Sequence, residues 1–368
     1  MRILAVNWRD IKNPEAGGAE VHLHEILLRL ARWGHAATQV SSGWPGCSEE
    51  DSADGVRIVR RGRWYDANVA LLIASRRVLR SDRYDVVLED INKLPFFTPL
   101  VTKLPVIVVV PHLFGSTAFR EANPLVASIV YLFELLIPLV FRRNTFIVIS
   151  DSTRDDLVRR GVSPERIHVV LCGLDHEHYR NLALTRFEQP TIVHLGRLRK
   201  YKSVEVVLRA MRLIREALPE ARLVIIGDGP HRGALEREAR RLDLGDSVEF
   251  RGFVGQGELV SWLNRAHLLV NPSPKEGWGL TVVEGNACGL PVVASDRPGL
   301  RDSVVDRETG FLVPYGDDKA FAAKALEILR DPKLWARMSA AALERVKSLT
   351  WDRTAKETLD IVDRVLRG

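Results

Sequence analysis

Cysteine is scarce in this 368-residue chain: Cys47, Cys172 and Cys288 are far apart, odd in number and outside any metal-binding spacing. That scarcity excludes a disulfide framework and a zinc site, and it fits a reducing cytoplasm. The chain also lacks a G-x-G-x-x-G string, a zinc-finger spacing, an aromatic RNA-recognition string and a basic tail. A dinucleotide fingerprint is therefore unsupported, and nucleic acid is not expected as a partner. The opening MRILAVNW has one arginine and then an apolar run of strand length, too short for the core of a signal peptide, so export is not expected. Only one long apolar run occurs, residues 124–143, and Glu134 sits in its middle. On insertion scales that carboxylate costs about 2.5–3.5 kcal/mol at the bilayer centre, which argues against a full membrane span. Two readings of the run stay open: a helix buried in the first domain, or one that also dips into the membrane interface.

What is present is ordinary in bulk. Hydrophobic residues at 46% and charged residues at 27% describe a soluble globular chain, long enough for two domains rather than one core. A net charge of +6 points to a polyanionic neighbour, either a phosphorylated substrate or an anionic membrane.

The most informative stretch is 271–294, NPSPKEGWGLTVVEGNACGLPVVA. Glu276 lies in a turn whose Gly277 and Gly279 let a ligand approach the backbone, and Glu284 follows eight residues later. Thr281 to Glu284 fits a capping box, which starts a helix near Leu280 or Thr281 and leaves free amides facing an anion, typically a phosphate. On that pattern alone Glu284 is more often a simple cap. The string EGWGLTVVE, followed by Gly289-Leu290-Pro291 and a buried strand, resembles the retaining glycosyltransferases of family four, whose typical string is close to EGFGLTVLE. The resemblance covers nearly the whole chain, strongest at 191–294 and weakest at 43–125. It implies an α/β chain of the GT-B fold, with two Rossmann-like domains whose parallel sheets face each other across a cleft.

The rest of the chain alternates as such a fold requires. A strand at 2–7 and a helix from Ala19 to Arg32 flank Gly17, Gly18 and Glu20. Adjacent glycines at a helix start suit a phosphate or a sugar hydroxyl, and the family's Gly-Gly-x-Glu loop matches there. Strands are expected at 37–41, 56–60 and 85–88, and a helix at about 67–80. Glu89, Asp90 and Asn92 stand at a strand's carboxyl end, where open α/β sheets bind ligands; they either meet an acceptor or cap the next helix. The strand 106–110 leads to His112, which the resemblance places against the donor sugar. A strand at 146–150 and a helix from about Ser152 to Arg160 precede Cys172-Gly173-Leu174-Asp175 and Tyr179, similar to the family's exit from its first domain. After the strand 191–195 come Gly196, Arg197 and Lys202, the family's Gly-Arg…Lys string for a diphosphate, with Ser203 where the family commonly has glycine. Leu223 to Pro230 reads as a buried strand and glycine turn. Phe253 and Val254 match the segment facing the nucleotide base, and helices are expected at 317–331 and 333–348.

These expectations give domains at 1–183, the acceptor side, with a last helix at 353–368 crossing back, and at 188–350, the nucleotide-sugar side. The resemblance implies hexosyl transfer from a UDP- or GDP-sugar to a glycan or lipid-linked acceptor, and the basic surface with the 124–143 helix points to cell-envelope or polysaccharide synthesis at the inner face of the membrane. Glu276 would hold the donor sugar and Glu284 the ribose, with Gly277, Gly279, Leu280 and Thr281 lining the donor site. No Asp-x-Asp occurs anywhere, so Arg197, Lys202 and the helix start must supply the positive potential, with no cofactor and no metal. Two other readings are a non-hydrolysing nucleotide-sugar 2-epimerase and a non-catalytic sugar- or membrane-binding protein of the same fold.

Overall fold

Strand segments such as Val106–Val110 (VIVVV) are wholly buried, the pattern of a parallel sheet covered on both faces. A computed structural model describes residues 1–63, 67–92, 94–117, 119 and 123–368. The chain forms two units, Met1–Gly173 together with Trp351–Gly368, and Leu174–Thr350.

The first unit is built on a sheet of strands β1 (Arg2–Val6), β2 (Ala36–Ser41), β3 (Glu50–Ala53), β4 (Val56–Arg60), β5 (Val86–Asp90), β6 (Val106–Val110), β7 (Thr145–Val148) and β8 (Ile167–Val169). Their order is β3-β4-β2-β1-β5-β6-β7-β8, parallel except for the β3–β4 hairpin. Side chains alternate between its faces. Leu4, Val6, Val87 and Val108 join one core, and Ile3, Ala5, Val86 and Val109 join the other. The last helix, Trp351–Arg367, packs on the second of these through Ile361 and Val362. Its start is pinned to the helix Gly18–Arg32, where Arg29 Nε donates to Asp352 Oδ1 at 2.5 Å.

The second unit is a six-stranded parallel sheet of β9 (Thr191–Leu195), β10 (Arg222–Ile226), β11 (Val248–Gly252), β12 (Leu268–Asn271), β13 (Val292–Ser295) and β14 (Gly310–Val313). Their order is β11-β10-β9-β12-β13-β14. The helices Val204–Ala217 and Asp318–Arg330 bury one face with Ile192, Leu223 and Leu268. Val193, Val224 and Leu269 form the other.

Both sheets have a switch point, where the chain's crossovers diverge to opposite sides and a crevice opens at the carboxyl ends of the strands. In the first sheet it lies between β1 and β5, and in the second between β9 and β12.

The run 124–143 differs from the buried-helix expectation. It forms two helices, Pro124–Leu135 and Ile137–Val140, and turns most of its leucines outward. No helix among the described residues is long and apolar enough to cross a membrane.

Candidate active site

At the switch point of the second sheet, β9 and β12 end in loops that bring opposite charges together. Lys202 closes the 3-10 turn Lys200–Lys202 after β9, and its Nζ donates to Glu276 Oε1 at 2.5 Å, from the loop after β12. Both side chains are mostly buried, at 17% and 16% exposure, so their attraction is screened less than that of a surface pair. The Lys202 turn is held from beneath. Backbone at Gly227 and Gly229 lies so close that an added Cβ would stand 2.1 Å from the Gly196 carbonyl oxygen and 2.4 Å from that of Leu198. The Gly-Asp-Gly turn after β10 thus serves close backbone packing. The Glu276 loop is braced likewise: Glu276 N–H donates to the Pro298 carbonyl at 3.1 Å, and a Cβ on Gly299 would meet Glu276 O at 2.2 Å.

Ser203 follows Lys202 with φ +53°, in the left-handed region that glycine occupies without cost. Its hydroxyl lies 2.9 Å from that of Tyr315. Arg197 stands exposed in the loop between β9 and that turn, directly after Gly196.

The helix Leu280–Ala287 begins behind a left-handed Gly279, φ +90°, and its first intrahelical bond runs from Val282 N–H to the Gly279 carbonyl. The amides of Leu280 and Thr281 precede that bond and form the helix's positive end. This start corrects the capping-box reading. With Gly279 as the cap, Thr281 is the second helical residue and Glu284 the fifth, too far along to reach the cap. Glu284 instead accepts a hydrogen bond from the Tyr179 hydroxyl. Burial pushes the Glu284 carboxyl up to about 7, and the Tyr179 bond pulls in the opposite direction.

Three polar atoms on β9 and in the Glu276 loop, His194 Nε2, Ser273 Oγ and Trp278 Nε1, are buried without a partner among the described residues. Unpaired buried groups of this kind are uncommon in native folds and gather where ligands or waters bind. His194, with its ring Nδ1 3.2 Å from the Val270 carbonyl, carries its proton on Nδ1. Its ring stays neutral because burial lowers its pKa to about 4. Sequence reasoning passed over it as one residue of a buried strand. At the end of β11, Phe253 is 79% exposed, an aromatic face available for stacking, with Val254 half-buried beside it.

At the first sheet's switch point a polar cluster gathers Asn7, Glu20, Asp90 and Asn92. Asn92 Nδ2 donates to both Asn7 Oδ1 and Glu20 Oε1 at 2.9 Å, and Asn7 Nδ2 donates to Asp90 Oδ2 at 3.3 Å. Burial, with the charge of Glu20 second, raises the Asp90 pKa well above the usual carboxylate range. Asp90 Oδ1 and Asn92 Oδ1 have no partner among the described residues.

One reading changes here, and one open alternative closes on capping. Glu20 Oε2 accepts the Gly17 N–H at 2.7 Å, so that amide is taken up internally, while Gly18 opens the helix in an exposed position. Glu89 accepts from the amides of Phe96, Phe97 and Thr98 and from the Thr98 hydroxyl. It caps the turn Thr98–Leu100 rather than facing an acceptor. His112, after β6, is half-buried against the Phe114 ring, with centroids 4.9 Å apart.

Solved structures share this architecture from end to end. Sucrose-phosphate synthase from Thermosynechococcus elongatus superposes with a TM-score of 0.86 at 21% identity, over 100% of this chain and 99% of that one. Anabaena HepE, solved with UDP, superposes with a TM-score of 0.77 at 17% identity, over 99% of this chain and 100% of that one. WaaG, a glycosyltransferase involved in lipopolysaccharide biosynthesis, gives 0.77 at 17% over 98% and 99%. The fold is that of the GT-B glycosyltransferases. The family model described as Glycosyl transferases group 1 matches residues 175–345, and that described as Glycosyltransferase Family 4 matches residues 16–178. The chain belongs to the family-four glycosyltransferases. Among curated relatives, D-inositol 3-phosphate glycosyltransferase of Streptomyces avermitilis is 32% identical over 62% of this chain and 54% of its own length. That of Streptomyces scabiei is 34% identical over 56% and 50%. The chain thus spans about half the length of the curated relatives it matches.

Proposed function

We propose that the chain moves a hexosyl group from a UDP- or GDP-sugar to a hydroxyl of a glycan or lipid-linked acceptor, with retention of configuration and without a metal ion. The observation that carries this reading is the Lys202–Glu276 pair at the β9–β12 switch point. A nucleotide sugar offers a better partner to each member, its diphosphate to Lys202 and its sugar hydroxyls to Glu276, so donor binding exchanges one ion pair for two directed contacts. As the bond from the anomeric carbon to the β-phosphate oxygen breaks, negative charge grows on the diphosphate. Lys202, Arg197 and the Leu280 and Thr281 amides meet that charge as pre-oriented groups. The acceptor oxygen bonds the anomeric carbon, and its proton passes to the departing phosphate oxygen, which balances charge and atoms. Retention rests on family membership. The metal-free reading rests on these fixed cations and on the absence of Asp-x-Asp from the sequence.

In this scheme Glu284 holds the ribose hydroxyls, Phe253 and Val254 meet the base, and Gly196, Gly277 and Gly279 give the donor close access to backbone. The family resemblance assigns His112, Gly17 and Gly18 to donor contacts. Glu20, Asp90 and Asn92 shape the acceptor end, and Glu89 supports the loop beside them. The curated relatives are named for an inositol phosphate, a polyol whose hydroxyls pose the same recognition problem. The working location is the cytoplasm, at the inner face of the membrane.

The test is a thermal-shift screen of UDP, GDP and ADP with their sugars, followed by turnover assays, because a ligand that prefers the folded state raises its midpoint by mass action. Lys202→Ala and Glu276→Ala should each lower turnover by about a hundredfold or more with an unchanged fold. Near-normal rates in both variants refute the site. Epimerised donor formed without an acceptor would favour the epimerase reading instead.

A further inference from the structure

The helices Pro124–Leu135 and Ile137–Val140 are built inside out. Leu125, Ile129, Leu132, Leu136 and Leu139 recur at steps of four, three, four and three residues, one stripe of helical surface, and all are exposed, Leu125 at 73% and Leu139 at 65%. Phe119 and Tyr131, both exposed, stand beside each other with ring centroids 6.4 Å apart. The residues turned inward are Ala127, Ile137, Phe141 and the single carboxylate Glu134. Glu134 is consumed there: it accepts from the Phe114 and Gly115 amides at 2.6 and 2.8 Å and pairs with Arg160 at 3.2 Å.

Burying the acid and exposing the leucines is unfavourable in water unless something covers the stripe. The stripe runs about 20 Å at 1.5 Å per residue. Arg142 and Arg143 stand exposed at its carboxyl end, and residues 123–143 contain no acid besides Glu134. Over residues 123–143 the face is therefore apolar and positive, with no exposed acid among them to meet the arginines of a second copy.

We infer that this face docks on an anionic lipid bilayer, with the leucine stripe and the two rings seated among headgroups and upper acyl chains and the arginines on lipid phosphates. This partner goes beyond the transfer reaction and does not depend on it. It has a bearing on the reaction through Glu134, which ties the docking helix to the loop directly after His112.

The test uses the full chain without donor or acceptor, sedimented with phosphatidylcholine vesicles that contain or lack phosphatidylglycerol. Wild type should pellet with the anionic vesicles about tenfold or more better than with the neutral ones, and high salt should weaken that binding. The double variant Leu125→Asp/Leu132→Asp and the double variant Arg142→Gln/Arg143→Gln should each lose about tenfold in partitioning with unchanged thermal midpoints. Equal sedimentation of wild type with and without anionic vesicles would overturn the inference, as would leucine variants that partition like wild type. So would self-association that the leucine variants abolish in a protein that ignores vesicles. Because no substrate enters the assay, its failure leaves the transfer reading standing, and a failed transfer assay leaves this one standing.

Discussion

Replacing Glu284 with glutamine separates the ligand role proposed for this carboxylate from what it costs the fold. Its pKa moves from 4.5 to about 7 because burial penalises the charged form. At about 1.4 kcal/mol per pH decade, that displacement is a penalty of about 3 kcal/mol once the group is ionised. Between pH 4.5 and 7 the folded chain keeps this proton while the unfolded chain has released it, so stability falls as pH rises through the window. Glutamine has no proton to lose and still accepts from the Tyr179 hydroxyl. Urea unfolding of both proteins from about pH 4.5 to about pH 8 should show nearly equal stability at the acid end and a variant more stable by about 3 kcal/mol at the alkaline end. The same variant should bind nucleoside diphosphate about tenfold or more weakly, because a charged acceptor is exchanged for a neutral one. A stability difference that does not change with pH would refute the reasoning.

His22 and the Arg60–Asp10 pair give two further tests. His22 is buried against Trp351 with both ring nitrogens unpaired among the described residues, and burial lowers its pKa to about 4. The unfolded chain takes up this proton as pH falls through 6.5 while the folded chain does not until about 4, so stability is lost toward acid. His22→Leu should raise stability by about 1–3 kcal/mol near neutrality and by more at about pH 5, read from thermal melts; a smaller gain in acid contradicts this. Arg60 donates to both oxygens of Asp10, at 2.8 and 2.9 Å, with the two side chains 2% and 0% exposed. Arg60→Ala leaves that carboxylate unpaired and should cost about 3–5 kcal/mol by chemical denaturation; a loss below about 1 kcal/mol would contradict the pairing argument.

Much of this architecture is readable from residue patterns, for a physical reason. Strands covered on both faces appear as unbroken β-branched runs, as at Val106–Val110, and the turns after β9 and β12 carry the charges that meet at Lys202 and Glu276. Long-range partners are what patterns miss. Glu284 sits where a capping box would place it, yet its partner is Tyr179, more than a hundred residues earlier. Glu134 makes an apolar run look like an interrupted core helix, whereas its hydrogen bonds to Phe114 and Gly115 turn that helix over. Gly17 reads as a free amide until Glu20 is seen folding back onto it. His194 and the Pro298–Gly299 brace gave no local signal, because their significance lies in the backbone they pack against.

The central claim is that fixed cations and helix amides, rather than a bound ion, stabilise the departing diphosphate. The direct measurement is wild-type turnover in excess chelator and in excess magnesium, beside the same pair for Lys202→Ala. Equal wild-type rates in both, with a Lys202→Ala deficit of about a hundredfold that magnesium does not restore, are the predicted result. Wild-type activity that vanishes in chelator and returns with magnesium would contradict it.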